Sequence, residues 1–312
     1  MKIDTSLCAE RLLAADRILL LCHRDPDGDT YGSAMALFDA LTGIQKQVRV
    51  ICVDPFPPHL AYLNRPMPQF KEEFVVSLDV ASPPMLGEPA NRRSDIDLCI
   101  DHHPTNPLYA KETLLVDYAA TGEAVYEVIL KMGIAVSPYC ATALFTSLSS
   151  DTGGFRFANT STQTLRYAAN LMECGANVDL IRYQLFESQS RGMIQVEAAA
   201  MSNIHYYGDG KIAVISISQL LMQKANILDS ELDGIAAKPL QIAGVEVGIT
   251  LKERADQSVR VSVRSTAKLN AAALCQRFAG GGHHRAAGCR IQGGLEKAED
   301  QIVEASLASL EP

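Results

Sequence analysis

His23, Asp25, Asp27 and Asp29 crowd one imidazole and three carboxylates into the seven residues His23-Arg24-Asp25-Pro26-Asp27-Gly28-Asp29. Carboxylates this close repel one another unless a cation sits among them. Groups of the same chemistry recur wherever an apolar run stops: Asp79 after Phe74-Val75-Val76-Ser77-Leu78, Asp101-His102-His103 after Leu98-Cys99-Ile100, and Asp151 after a helical pattern over 141–149. Hard oxygens with a minority of imidazole suit Mn²⁺ or Mg²⁺ better than zinc or copper. Two such ions about 3.5–4 Å apart can clamp a phosphoryl centre, with a water between them attacking phosphorus in line. Asp79 is the natural carboxylate to bridge them. Singly, each residue has a plainer reading: Asp79 or Asp151 as a cap, Asp-His-His as a solvated turn. Their joint occurrence at strand and helix ends favours one site.

The elements that must position these groups follow from pattern. Leu19-Leu20-Leu21-Cys22 reads as a buried strand; Pro26 and Gly28 force a tight turn after it, and Met35, Leu37, Phe38 and Leu41 give a helix to Gly43. Residues 5–16 read as an opening amphipathic helix, 48–53, 74–79 and 97–103 as strands, and 121–131, 141–149, 161–174, 178–187 and 191–203 as helices, with Thr121 as the cap of the first of these. Strands alternating with helices predict an α/β fold with a mostly parallel sheet flanked by helices on both faces, and open α/β sheets carry ligands at the carboxyl ends of their strands. Beyond 203 the pattern changes. A hairpin over 204–217, an antiparallel pair over 245–251 and 258–263, a helix over 269–278, a short strand at 288–291 and a helix over 295–309 predict a smaller α+β domain. The division is therefore 1–190, a linker helix 191–203, and 204–312.

A chain of 312 residues with 47% hydrophobic and 21% charged residues is ample for two cores without disulfides. None of the eight Cys forms a CxxC pair and most lie in apolar segments, which argues against a zinc knuckle and for a reducing cytoplasm. No signal peptide or membrane-length apolar run is present, so a cytoplasmic location and no membrane association are expected. The net charge of −8 disfavours a protein that tracks long nucleic acid and fits a short anionic substrate.

In the second half, Gly280-Gly281-Gly282 allows backbone N–H groups close approach to a phosphate, with His283 and Arg285 adding charge. Arg264-Ser265 at a strand end is a candidate phosphate clamp. After Asp151, Phe155, Arg156 and Phe157 offer stacking or clamping of a base, or packing in the core.

His23-x3-Asp27-x-Asp29, Asp79, Asp101-His102-His103 and Asp151, in that order, resemble the motifs of the DHH phosphoesterase superfamily. Gly280-Gly281-Gly282-His283 resembles the signature of its DHHA1 domain. Over about residues 10–305 the chain is most similar to the NrnA-like group of oligoribonucleases (nanoRNases) and adenosine 3′,5′-bisphosphate (PAP) phosphatases. The resemblance implies an N-terminal DHH domain and a C-terminal DHHA1 domain with a two-Mn²⁺ centre, Mg²⁺ or Co²⁺ being substitutes. His23, Asp27 and Asp79 would hold one ion and Asp29, Asp79, His102 and Asp151 the other. His103 would face the scissile phosphate, and Asp101 would orient the imidazoles. Arg264, Gly281, Gly282 and His283 would hold the substrate's terminal phosphate or sugar. The implied activity is hydrolysis of short oligoribonucleotides such as pApA or pGpG to 5′-mononucleotides, with removal of the 3′-phosphate of adenosine 3′,5′-bisphosphate. A cyclic-di-AMP phosphodiesterase and a non-hydrolysing dinucleotide sensor are the alternatives; the complete ligand set argues against the sensor. A homodimer is the expected assembly.

Overall fold

The computed structural model describes residues 1–310 except 89, 91, 92, 94 and 233. The chain divides into two compact units, Met1–Ser188 and Gln189–Pro312.

The first unit runs α1 (Thr5–Ala14), β1 (Arg17–Leu21), α2 (Gly28–Gly43), β2 (Gln47–Ile51), β3 (Phe74–Leu78), β4 (Leu98–Asp101), β5 (Glu112–Leu115), α3 (Thr121–Lys131), α4 (Pro138–Asp151), α5 (Thr162–Glu173) and α6 (Val178–Arg182). Its five strands lie in the order β2-β1-β3-β4-β5, all parallel. β1 runs first to β2 on one side and the chain then crosses to β3 on the other. The gap beyond the carboxyl ends of β1 and β3 is therefore the topological switch point, where such sheets bind ligands. β5, with only Glu112-Thr113-Leu114-Leu115 and no clear alternation, is a strand that the sequence pattern does not announce.

Helices on both faces were expected. Instead, Ile18, Leu20, Cys22, Val76, Leu78, Leu98, Ile100 and Leu114 point into one core with the helices. The opposite face (Leu19, Leu21, Val75, Cys99) is covered by Val80, Leu86, Ile96 and Ala110 from connecting segments. The reason is local: the β3–β4 connection carries Pro83, Pro84 and Gly87 and, among its described residues, forms a 3₁₀ turn, Pro83–Leu86, and no α-helix. Residues 178–187, read as one helix, are α6 followed by a π-helical turn, Tyr183–Glu187.

α2 lies directly on α4. At Gly32 a side-chain Cβ would stand 2.5 Å from the Ala143 carbonyl oxygen and 3.0 Å from the Ser147 nitrogen. Only a residue without a side chain lets the two backbones meet there, and the contact brings Asp29 on α2 under Ser147 on α4.

The second unit contains α7 (Arg191–Ser202), β6 (His205–Tyr207), β7 (Ile212–Ile217), α8 (Gln219–Ala225), β8 (Val247–Glu253), β9 (Ser258–Ser265), α9 (Ala271–Gln276), β10 (Gly281–His283), β11 (Ala286–Gln292) and α10 (Gly294–Leu310). Its six strands have the order β10-β11-β9-β8-β7-β6. All neighbours are antiparallel except β7 and β8. Val259, Val261 and Val263 pack on one face with residues of α9 and α10. Met193, Val196 and Ala200 of α7 pack with Ile215 and Ile217 on the other. Among the described residues no helix is long and apolar enough to cross a membrane.

Replacing Gly32 with alanine must force α2 and α4 apart. We expect a loss of about 1–3 kcal/mol, typical of an overpacked core, seen in calorimetry as a melting temperature several degrees lower. An unchanged melting temperature would show that the two helices are free to separate.

Candidate metal centre

The centre is built at the carboxyl edge of the parallel sheet. Leaving β1, the chain turns at His23, and Asp27 becomes the N-cap of α2, accepting from the Asp29 and Thr30 backbone N–H groups at 2.9 and 3.2 Å. Asp29 follows in the first turn of α2 and has no exposed surface. Asp79, one residue past β3, has φ of +59°. Residues other than Gly, Asn and Asp seldom adopt that region, and here it turns the carboxylate across the sheet end. Asp101 ends β4, His102 and His103 follow it, and Asp151 is the last residue of α4.

Two imidazoles face the carboxylates through Nε2. His23 Nδ1 lies 2.7 Å from the Arg24 carbonyl oxygen and His102 Nδ1 lies 3.0 Å from that of Tyr118. A carbonyl only accepts, so each Nδ1 carries a proton and each ring turns its Nε2 toward the acids. His23 Nε2 is 3.4 Å from Asp79 Oδ2 and 3.6 Å from Asp27 Oδ1. His102 Nε2 is 3.3 Å from Asp151 Oδ2, 3.4 Å from Asp79 Oδ1 and 3.8 Å from Asp29 Oδ2. Asp79 thus presents one oxygen to each imidazole. These separations exceed those of good hydrogen bonds and approach the roughly 3 Å between neighbouring ligands of a small octahedral cation.

Potential ligand atoms gather within 4.8 Å of one another in the sets His23–Asp27–Asp79, Asp29–His102–Asp151 and Asp79–Asp101–His103. The donor set fits one or more divalent cations: lone pairs and negative charge converge where only positive charge can hold them together. In the protein alone, protons take that part. Burial pulls the His23 pKa down, but Asp27 and Asp79 outweigh it and raise it well above the ordinary value. Burial, then repulsion from Asp79, pushes Asp29 up to about 7. Burial and the neighbouring Asp29 raise Asp151 strongly. Asp79 goes the other way: burial would raise it, yet His23, His103 and His102 hold it below the usual carboxylate range.

A further layer fixes these groups. Asp29 accepts from the Thr121 and Gly122 N–H groups at 2.8 and 3.2 Å, and from the hydroxyls of Ser147 at 2.5 Å and Ser33 at 3.2 Å. It therefore caps α3 from another helix, at the positive end of that helix's dipole. Thr121, read from sequence as the cap, is instead the first helical residue after Ala120, and its hydroxyl donates to Asp79 Oδ1 at 3.1 Å. Asp101 is buried and accepts from the His102 N–H, the His103 N–H, His103 Nδ1 at 2.8 Å and Asn106 Nδ2 at 2.6 Å. Burial lowers the His103 pKa, but Asp101 and Asp79 prevail and bring it to about 9. Sequence reading missed Ser33, Asn106, Thr121 as a donor, and Ser147. Each sits in an ordinary turn or helix, and no spacing rule separates it from a surface polar residue.

Arg156 lies in the loop after Asp151, with Nε donating to the Gly153 carbonyl at 2.5 Å. The remaining candidates lie in the second unit. Arg264, on β9, is half-buried in register between Gly248 and Ala286. Burial and Arg260 lower its pKa, and among the described residues no carboxylate pairs with it. Ser265 points to the opposite face, buried, with its hydroxyl given to the Leu269 carbonyl at 2.8 Å; it holds the turn and does not share a face with Arg264. Gly281, Gly282 and His283 form an exposed edge strand, not a loop, and Arg285 is exposed in the turn that follows.

A parallel sheet with Asp- and His-rich turns at its carboxyl edge, followed by a mixed-sheet unit, is the arrangement of the DHH family, and the chain belongs to it. Residues 17–148 match the DHH family N-terminal domain and residues 209–310 the DHHA1 domain. The chain is similar to the bifunctional oligoribonuclease and PAP phosphatase NrnA of Thermus thermophilus, with 29% identity covering 96% of this chain and 92% of that protein. The protein of the same description from Bacillus subtilis is 26% identical, covering 88% of this chain and 90% of the other. In three dimensions the chain matches an exopolyphosphatase-related protein of Bacteroides fragilis with a TM-score of 0.86 at 24% identity, covering 98% of this chain and 95% of that one, a likeness of fold.

Because the cluster concentrates negative charge, Mn²⁺ should stabilise the metal-stripped protein by about 2.7 kcal/mol when present at about a hundred times its dissociation constant. The measurement is a melting curve with and without Mn²⁺. Asp29→Ala and Asp79→Ala should abolish the Mn²⁺-induced shift; a shift of wild-type size in both would place the ion elsewhere.

Proposed function

We propose that this protein is a metal-dependent phosphoesterase that cleaves short oligoribonucleotides to 5′-mononucleotides and removes the 3′-phosphate of adenosine 3′,5′-bisphosphate. The observation that carries the reading is the convergence of His23, Asp27, Asp29, Asp79, His102 and Asp151 at the switch point of the sheet, with Asp79 facing both imidazoles. The similarity to NrnA proteins over almost the whole chain supports the substrate class.

In this reading His23, Asp27 and Asp79 would hold one Mn²⁺, and Asp29, Asp79, His102 and Asp151 would hold a second, with Mg²⁺ or Co²⁺ able to replace them. When bound, such a pair supplies Lewis-acid polarisation of the phosphoryl oxygens and acidifies an attacking water. The protein's own part is positional. Tyr118 and Arg24 fix the imidazoles through their carbonyls, so that Nε2 is the coordinating atom. Asp101, itself held by Asn106, locks His103 through Nδ1 and leaves Nε2 to donate toward the scissile phosphate. Arg264, with no acid to neutralise it among the described residues, binds a substrate phosphate in the second domain, assisted by Gly281, Gly282, His283 and Arg285.

The test is a Mn²⁺-dependent time course on pApA, a long single-stranded RNA, adenosine 3′,5′-bisphosphate and cyclic-di-AMP. Rapid AMP release from pApA, slow attack on the long RNA and dephosphorylation of the bisphosphate are expected. Fastest loss of cyclic-di-AMP would move the protein to cyclic dinucleotide turnover. Asp79→Ala and His102→Ala should each abolish hydrolysis of pApA while the fold, followed by circular dichroism, is kept. Near-normal kcat in either variant would sink the two-metal assignment.

A further inference from the structure

The loop after Asp151 has chemistry that the hydrolytic cluster does not use. Gly153, Gly154 and Phe155 are consecutive left-handed residues, with φ of +58°, +68° and +64°. Glycine takes this conformation without strain, whereas a bulky aromatic residue there is an outlier. The distortion is held in place. The Phe155 N–H donates to Thr152 Oγ1 at 2.9 Å, and the Arg156 and Phe157 N–H groups both donate to the Thr152 carbonyl at 3.0 Å. Asn159 Nδ2 donates to the carbonyls of Asp151 at 3.1 Å and Ala119 at 3.2 Å. The loop is thus bonded to the backbone of Asp151 itself.

This geometry sorts the aromatic residues. Phe155 turns inward and meets Phe145 edge-on, with ring centroids 5.5 Å apart. Phe157 turns outward and is 51% exposed. Phe186, from the π-helical turn, is 39% exposed; such turns are frequent at functional sites. Both rings rest on the two glycines. A Cβ at Gly153 would collide with the Phe157 ring, and one at Gly154 would stand 3.3 Å from the Phe186 ring. The Arg156 guanidinium lies 5.5 Å from the Phe186 ring centroid.

Two part-exposed rings therefore rest on this loop, Phe157 from the loop itself and Phe186 from the π-helical turn, backed by Gly153 and Gly154 and with the Arg156 guanidinium beside Phe186. Neither ring is buried in the core, whereas Phe155 packs on Phe145. The ligand that matches is flat, aromatic and joined to an anion, which describes a nucleobase on its phosphate. We propose that Phe157 and Phe186, with Arg156, form a stacking platform for one nucleobase of the substrate. The first domain then detects that a base is present without reading which base it is, because every base has a stacking face. This inference rests on the nucleotide-cleaving function proposed above.

The test compares pApA with the same dinucleotide carrying abasic riboses. Phe157→Ala and Phe186→Ala should each raise KM for pApA about tenfold, the scale of one lost stacking contact, with kcat within about twofold and an unchanged melting temperature. Phe157→Trp should restore the wild-type KM. On the abasic compound the alanine variants should match wild type. A dinucleotide containing 2-aminopurine should lose fluorescence on binding wild type and keep it with Phe157→Ala, a readout independent of turnover. Unchanged KM and quenching in both alanine variants, or equal losses on base-bearing and abasic substrates, would overturn the platform. Failure of the wild type to cleave any dinucleotide with Mn²⁺ would instead overturn the hydrolase reading, and the quenching would still decide the platform.

Discussion

Asp29 is the constraint around which the first domain is arranged. A carboxylate with no exposed surface costs several kcal/mol unless its charge is answered. Here the answer comes from three directions: two N–H groups at the start of α3 and one hydroxyl each on α2 and α4. Each requires a helix in a particular place. The glycine contact at Gly32 sets the α2–α4 distance, and Gly122 fits closely against Ser147. Packing and electrostatics are thus one problem: to loosen the helices is to leave a buried charge unanswered.

The N-terminal site was legible in sequence because its chemistry is written at discontinuities. Apolar strands ending in Asp79 and Asp101-His102-His103, and a Pro/Gly turn rich in acids, mark where a parallel sheet delivers functional groups. What surrounds the acids was not legible. Thr121 has the residue type and position of a cap, yet the cap is a carboxylate 92 positions earlier in the chain, and no local rule finds such a partner. The one-sided placement of the helices also escaped. Strand periodicity shows that both faces are buried but not by what, and the prolines after Asp79 decided it.

The second domain was less legible. Its glycine run is read for close approach to a phosphate and not for an element, since glycine permits loop and strand alike. The hydrogen bonds of Gly281–His283 to Ala286–Gly288 settle it as a strand. Arg264-Ser265 looked like a pair acting together, but the two-residue alternation of a strand puts neighbours on opposite faces. Ser265 belongs to the core side, and Arg264 to the face carrying Arg260 and Arg290. A resemblance between motifs identifies which residues matter without saying which way each one points.

The strand order β2-β1-β3-β4-β5 has a consequence for how the protein comes into being. The candidate ligand groups are drawn from residues 23 to 151, so the whole cluster exists only once α4 has been made. Parallel pairings join distant segments and form slowly. Until α4 docks, the acids near Asp29 gain nothing from one another and repel. In the proposed reading, capture of the full cation set would therefore come late in biogenesis, in a nearly finished domain. In the proposed reading, a chain released before α4 would lack the Asp29–His102–Asp151 set, so the cation held there would distinguish finished domains from unfinished ones.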